Sequence, residues 1–160
     1  MTQRPEREAL GTLLRHVLDR IDSDVATVYS ERGLADYRPR FSPPLRVLVA
    51  DGPLPIRDLA RRVGVTHSAA SQSVAQMARA GLVELTPGAD ARQRIVHLSA
   101  RARELLPLIE AEWAATTTAL RELDAELPVP LADLLYEVLA AVDRRSMRQR
   151  IADAGLPPPA

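Results

Sequence analysis

The sequence predicts a mostly α-helical protein with one small β-hairpin, an α+β chain in which helices dominate. Three observations predict it. The 160 residues are 46% hydrophobic but only 3% aromatic, and leucine, alanine and valine supply most of that hydrophobicity, a composition suited to helices. Apolar residues recur at steps of three and four through most of the chain, the helical period. The period changes to two in one region, where "LVEL" is followed by "RIVHL".

From about Arg4 to Arg32, Leu10, Leu14, Val17, Ile21, Val25 and Val28 form one apolar stripe on a long helix that Gly33 ends. "ADYRPRFSPP" is a linker by its prolines, with Ser42 expected to cap the short helix "PLRVLVA". "DGP" stops that helix. Ile56, Leu59, Ala60 and Val63 mark the next, closed by Gly64 as a left-handed cap. Thr66 is an N-cap for a further helix reaching Gly81, with Ala70, Val74 and Met77 facing inward. Two helices joined by a short glycine-containing turn make a helix-turn-helix.

"LVEL", the turn "TPGADA" and "RIVHL" then form the hairpin. Ser99 caps a long helix to about Glu126 with Leu105, Leu108, Ile109, Trp113 and Leu120 on its apolar side. Pro128 and Pro130 restart the chain before a helix striped by Leu131, Leu135, Val138 and Val142, and "GLPPPA" is a frayed tail. The first and last helices carry more apolar surface than a small central module covers, so a second copy of the chain is expected to bury it.

The net charge of zero hides an asymmetry. Residues 38–103 hold 11 arginines against Asp51, Asp58, Glu84 and Asp90, which leaves 10 arginines and 17 acids elsewhere. A basic middle between acidic ends points to a polyanion partner for the middle alone. Within it, the 16 positions between Arg62 and Arg79 contain no charged residue. The outer face of that helix carries His67, Ser68, Ser71, Gln72, Ala75 and Gln76. Short, uncharged, hydrogen-bonding side chains suit base edges in a DNA major groove, where glutamine can bind adenine through two hydrogen bonds. Thr66 opens the helix, whose free N–H groups can hold a phosphate oxygen. Arg57, Arg61, Arg62 and Arg79 stand at the margins for phosphates. The competing interpretation is a wholly buried helix, which would bury serines, glutamines and a histidine at a cost. At the hairpin tip, Arg92 and Arg94 are placed for a minor groove or for phosphates, and Asp90 can pair with an arginine to fix the tip.

The run "IRDLARRVGVTHSAASQSVAQMARAGLVELTPGADARQRIVHLSARARELL" resembles the winged helix-turn-helix of the MarR family of bacterial transcription regulators. Asp90 and Arg92 stand as the wing Asp-x-Arg, Gly81-Leu82-Val83 follow the recognition helix, and Leu98-Ser99 open the next helix. The resemblance is close over roughly residues 41–106. Elsewhere only the placement of the helices agrees. It implies a winged helix-turn-helix flanked by N- and C-terminal dimerisation helices, divided as residues 1–36, 37–100 and 101–160. It implies a homodimer on a pseudo-palindromic double-stranded DNA operator, acting as a regulator, and as a repressor in the usual case. An arginine is common in the family where Gln72 stands, so a base preference does not carry over. Family members often bind small molecules between the dimer helices and the DNA-binding lobe. Tyr29, Tyr37, Arg38, Arg40, Phe41 and Trp113 are the residues here that suit a phenolic or carboxylate effector, although Trp113 better suits a core anchor and the two arginines also suit phosphate contacts. The alternative function is a winged-helix module for protein–protein contact without DNA readout.

Other chemistries find little support. The chain has no cysteine, which excludes disulfides and thiolate metal sites. His16, His67 and His97 lack metal-ligand spacing. There is no glycine-rich phosphate loop or G-x-S-x-G elbow, so neither a cofactor nor catalysis is expected. With no charged leader ahead of an apolar run and no apolar stretch near about 18 residues, the expectation is a soluble, cytoplasmic protein.

Overall fold

The computed structural model describes Glu6, residues 9–88, Asp90 and residues 93–155. Two compact units are present, Met1–Trp113 and Ala114–Ala160. In the first, helix α1 (Leu10–Glu31) leads through a 3-10 turn at Pro39–Phe41 into α2 (Ser42–Asp51). A two-residue strand β1 (Leu54–Pro55) precedes α3 (Ile56–Val63) and α4 (His67–Arg79). Strands β2 (Val83–Pro87) and β3 (Arg94–Leu98) follow, and α5 (Ala100–Ala125) begins directly after them.

Helix ends follow from local chemistry. Gly64 ends α3 at φ +78°, where its own N–H bonds the Ala60 carbonyl and Val65 N–H also reaches back to Ala60, the left-handed closure only glycine adopts without strain. Gly81, at φ +69°, lets Leu82 N–H return to the carbonyl of Met77 at 2.9 Å in the same way. Thr66 Oγ1 accepts from Ala69 N–H at 3.2 Å and caps α4 as the sequence predicts. Ser42 departs from expectation. It is the first residue of α2, Phe41 holds the cap position, and Ser42 Oγ pairs with the Tyr37 hydroxyl at 3.0 Å. The hydroxyl was bid for by a buried phenol, which needs a partner more than a proline-started helix needs a cap.

The sheet has three antiparallel strands in the order β1-β3-β2. Val83 pairs with Leu98, Leu85 with Val96 and Pro87 with Arg94. Leu54 and Pro55 add to the other edge opposite Val96 and Ile95. The sequence predicts the hairpin but not this third strand.

The core of the first unit joins Tyr29, Phe41, Leu45, Leu59, Val74, Met77, Val96 and Ile109, all of them essentially inaccessible. Ala70, Val74 and Met77 are the buried residues of α4, so its inward stripe is the predicted one. Burying a side chain the size of Leu or Met contributes roughly 1.5–3 kcal/mol.

The second unit takes the end of α5, then α6 (Leu131–Arg144) and α7 (Met147–Asp153). Leu131 N–H donates to Asp124 Oδ1 at 3.0 Å, so a side chain before the Pro128–Pro130 break supplies the acceptor for a free amide of α6. Helix α7 is not anticipated by the sequence reading. Ser146 and Gln149 form its capping box, and Arg145 is ion-paired with Asp153. The α6 stripe is open to solvent, with Leu135, Val138, Leu139 and Tyr136 all exposed. On α1, Leu10, Leu14, Val17 and Leu18 are exposed as well. Among the described residues no helix is long and apolar enough to cross a membrane.

Candidate nucleic-acid interface

Helix α4 has two chemically distinct sides. Away from its buried stripe, Thr66, His67, Ser68, Gln72 and Ala75 are exposed, and Ser71 and Gln76 are half-buried. No charged side chain interrupts this face before Arg79, whose Nε donates back to the Ala75 carbonyl at 3.3 Å. The arrangement leaves a row of neutral donors and acceptors on a rigid, capped helix.

Around the N-terminal end of α4, Arg57, His67, Asp90, Gln93 and Arg94 border one hollow of about 310 Å³. The start of α3, the start of α4 and the hairpin therefore converge there, which brings three of the sequence-predicted contacts (Arg57, His67 and Arg94) together. Asp90 lies exposed beside them, and its carbonyl accepts from Gln93 N–H at 2.8 Å across the turn. Arg92, predicted to act with Asp90 and Arg94, lies outside the described residues.

The other arginines of α3 face acids. Arg61 is 3.3 Å from Asp58 and Arg62 is 3.1 Å from Asp51, while Arg57 is 3.6 Å from Asp58. Such exposed pairs are worth at most about 1 kcal/mol, so they orient these guanidiniums without neutralising the local field.

At the C-terminal end of α4 a second hollow, of about 340 Å³, is bordered by Arg38, Arg40, Phe41, Gln76 and Arg79. Arg40 Nη2 donates to Gln76 Oε1 at 2.5 Å. Sequence reasoning misses this contact because 36 positions separate the partners and no local pattern links them.

The residues considered for an effector are mostly core. Tyr29, Tyr37, Phe41 and Trp113 are buried, and the Tyr29 and Tyr37 rings lie 4.2 Å apart at their centroids. Tyr37 meets Phe41 edge-on at 5.8 Å, and Arg46 stacks over the Trp113 ring at 4.6 Å. The Tyr29 hydroxyl donates to Glu112. Burial, reinforced by that bond, pushes the Tyr29 phenol well above its ordinary value, and burial also raises Tyr37. Arg38 is exposed, with its guanidinium on the Ala35 carbonyl at 3.0 Å.

The comparisons agree with this geometry. Residues 45–94 match the model of the MarR family. No curated relative matches the sequence. Among solved structures, the M. tuberculosis transcriptional regulator MOSR in complex with DNA is 22% identical, over 88% of this chain and 99% of that one, with a TM-score of 0.65. Overoxidized AbfR bound to DNA is 14% identical over 86% of this chain and 92% of its own, at a TM-score of 0.63. The S. aureus MepR–DNA complex is 17% identical over 82% and 94%, at 0.61. At these identities the structural likeness establishes the fold, and the family match runs from within α2 to the start of β3, the segment that holds every residue of the first hollow and Gln76 and Arg79 of the second. Over residues 45–94 this chain is similar to the MarR family, and its fold is shared with the solved structures above.

Proposed function

We propose that the protein is a sequence-specific DNA-binding transcription regulator that works as a homodimer on an operator with two related half-sites. Helix α4 enters the major groove, and the hairpin follows the backbone or the adjacent minor groove. The observation that carries this reading is the charge-free outer face of α4, exposed on a helix capped by Thr66 and bordered by arginines at both ends. A groove-facing helix needs that division, with neutral groups for bases and cations at its margins for phosphates. The three solved structures named above each hold DNA, which supports the docking mode.

Two copies are required by the same reading. Half-sites imply a two-fold axis, and the exposed stripes on α1 and α6 are apolar surfaces of the kind a homodimer buries. The four buried aromatics leave DNA, rather than a small-molecule effector, as the ligand this proposal rests on.

The test begins with genome-wide recovery of bound fragments to define the preferred site. Affinity for that site and for a scrambled duplex is then measured with the intact chain and with Gln72→Ala. Gln72 is exposed on the outer face, so its loss is expected to weaken the specific duplex by roughly 1–3 kcal/mol and leave the scrambled one nearly unchanged. Equal weakening of both would remove α4 from the role of base reader. Binding of neither duplex, with a partner protein recovered instead, would favour the protein–protein module.

A further inference from the structure

We infer that Arg40 is a specificity-determining residue, which makes Gln76 a hydrogen-bond donor alone and turns its preference from adenine to guanine. The inference rests on the reading of α4 as the base-reading helix, and it concerns a residue that lies outside that helix, in the turn Pro39–Phe41.

The contact between Arg40 Nη2 and Gln76 Oε1 is 2.5 Å long. A guanidinium carries five N–H donors and no acceptor, so the amide atom that faces it is the oxygen, and the orientation of the Gln76 amide is settled by chemistry. The bond is charge-assisted and stronger than a neutral one. Gln76 is also half-buried, which restricts the rotamers through which it could escape. Asp22 of α1 lies within the field of Arg40: its carboxyl is pushed up by burial and by Asp19 and pulled down by the charge of Arg40.

A free glutamine recognises adenine by accepting from N6–H and donating to N7. The Gln76 oxygen retains a second lone pair, but a base donor brought to it also meets the positive guanidinium at close range. The amide nitrogen and the unused N–H groups of Arg40 together present donors only. Guanine offers two acceptors, O6 and N7, on its major-groove edge, whereas adenine sets an amino donor beside N7. The pair therefore favours guanine. A hollow of about 340 Å³ lies beside it, bordered also by Arg38 and Arg79 and by one acid, Asp36. Among the described residues, none of these three arginines is in a salt bridge.

The experiment selects duplexes randomised across one half-site with the full chain, Gln76→Ala and Arg40→Leu, each first shown to keep its helical circular dichroism. The position read by Gln76 is the one at which Gln76→Ala loses discrimination. There the intact chain is expected to prefer guanine over adenine by roughly tenfold, and Arg40→Leu to flatten or reverse that preference. A preference for adenine in the intact chain, no position affected by Gln76→Ala, or a guanine preference unchanged in Arg40→Leu would each overturn the inference and leave the regulator reading intact. If Arg40→Leu binds no duplex, Arg40→Lys decides. Lysine is also a donor without an acceptor, so it is expected to keep guanine, and a turn to adenine would overturn the inference. Failure of the intact chain to discriminate any site from scrambled DNA would remove the regulator reading itself.

Discussion

Ser99 Oγ donates to the carbonyl of Gly81 at 2.6 Å while it accepts from Ala102 N–H at 3.0 Å. One buried hydroxyl thus ties the closing turn of α4 to the first turn of α5, and Ser99 N–H adds a bond to the Leu82 carbonyl at 3.1 Å. The Gly-Leu-Val and Leu-Ser segments singled out in the sequence are therefore one clasp. It fixes the angle at which the outer face of α4 is presented.

Ser99→Ala is expected to destabilise the fold by about 2 kcal/mol, roughly half from the lost cap and half from a Gly81 carbonyl deprived of its donor. Urea unfolding followed by circular dichroism measures this. A loss below about 0.5 kcal/mol, the size of an ordinary surface change, would show that the clasp contributes nothing.

Two of the three tyrosines, Tyr29 and Tyr37, are buried and raised above their ordinary value of 10.0. A phenol whose folded value is raised binds its proton more tightly in the native state. Its contribution is complete below about pH 10 and declines as pH rises further. In a Tyr136→Phe background, phenolate absorbance is expected only together with loss of helical circular dichroism. Phenolate appearing while the helices remain intact would mean that water reaches the Tyr29–Tyr37 pair in the native state.

What the sequence made legible was local or periodic. The two sides of α4 could be read from the spacing of Ala70, Val74 and Met77, and Thr66, Gly64 and Ser99 act at the helix ends by bonds to residues a few positions away. Leu54 and Pro55 form no periodic run, and they become a strand only because β3 offers them an edge. Ser42 was misread as a cap because the competing partner, Tyr37, belongs to a buried cluster that has no sequence signature. Helix α7 carried a visible signal in Ser146 and Gln149, but its few apolar residues hid it. Within the candidate interface, the residue types of the α4 face were legible. The bond that sets the chemistry of Gln76 was not, since it depends on how the turn before α2 folds against α4.

The dimer reading places Leu14 and Leu135, 48% and 41% exposed in the single chain, against a second copy. Leu14→Glu combined with Leu135→Glu puts charges where apolar contact is expected, and a buried unpaired carboxylate is strongly unfavourable. Sedimentation should find the parent chain dimeric and this variant monomeric, with specific DNA affinity lost alongside. A parent chain that stays monomeric at micromolar concentration would sink the two-copy arrangement.

The hairpin should act on DNA through charge, and α4 through base edges, so the two must respond differently to salt. Arg94 begins β3, is exposed, and borders the hollow it shares with Arg57 and His67. A guanidinium there neutralises a phosphate and releases its condensed counterions, a contribution that does not depend on sequence. Arg94→Ala is therefore expected to weaken specific and scrambled duplexes alike and to lower the slope of log affinity against log salt by about one per contact, or about two for a symmetric dimer. Gln72→Ala, by contrast, should leave the slope unchanged while it lowers specific affinity. The measurement is a salt series on both duplexes for both variants. An Arg94→Ala slope equal to that of the parent chain would place the wing arginine away from the phosphates, and the hairpin would then have no electrostatic part in binding.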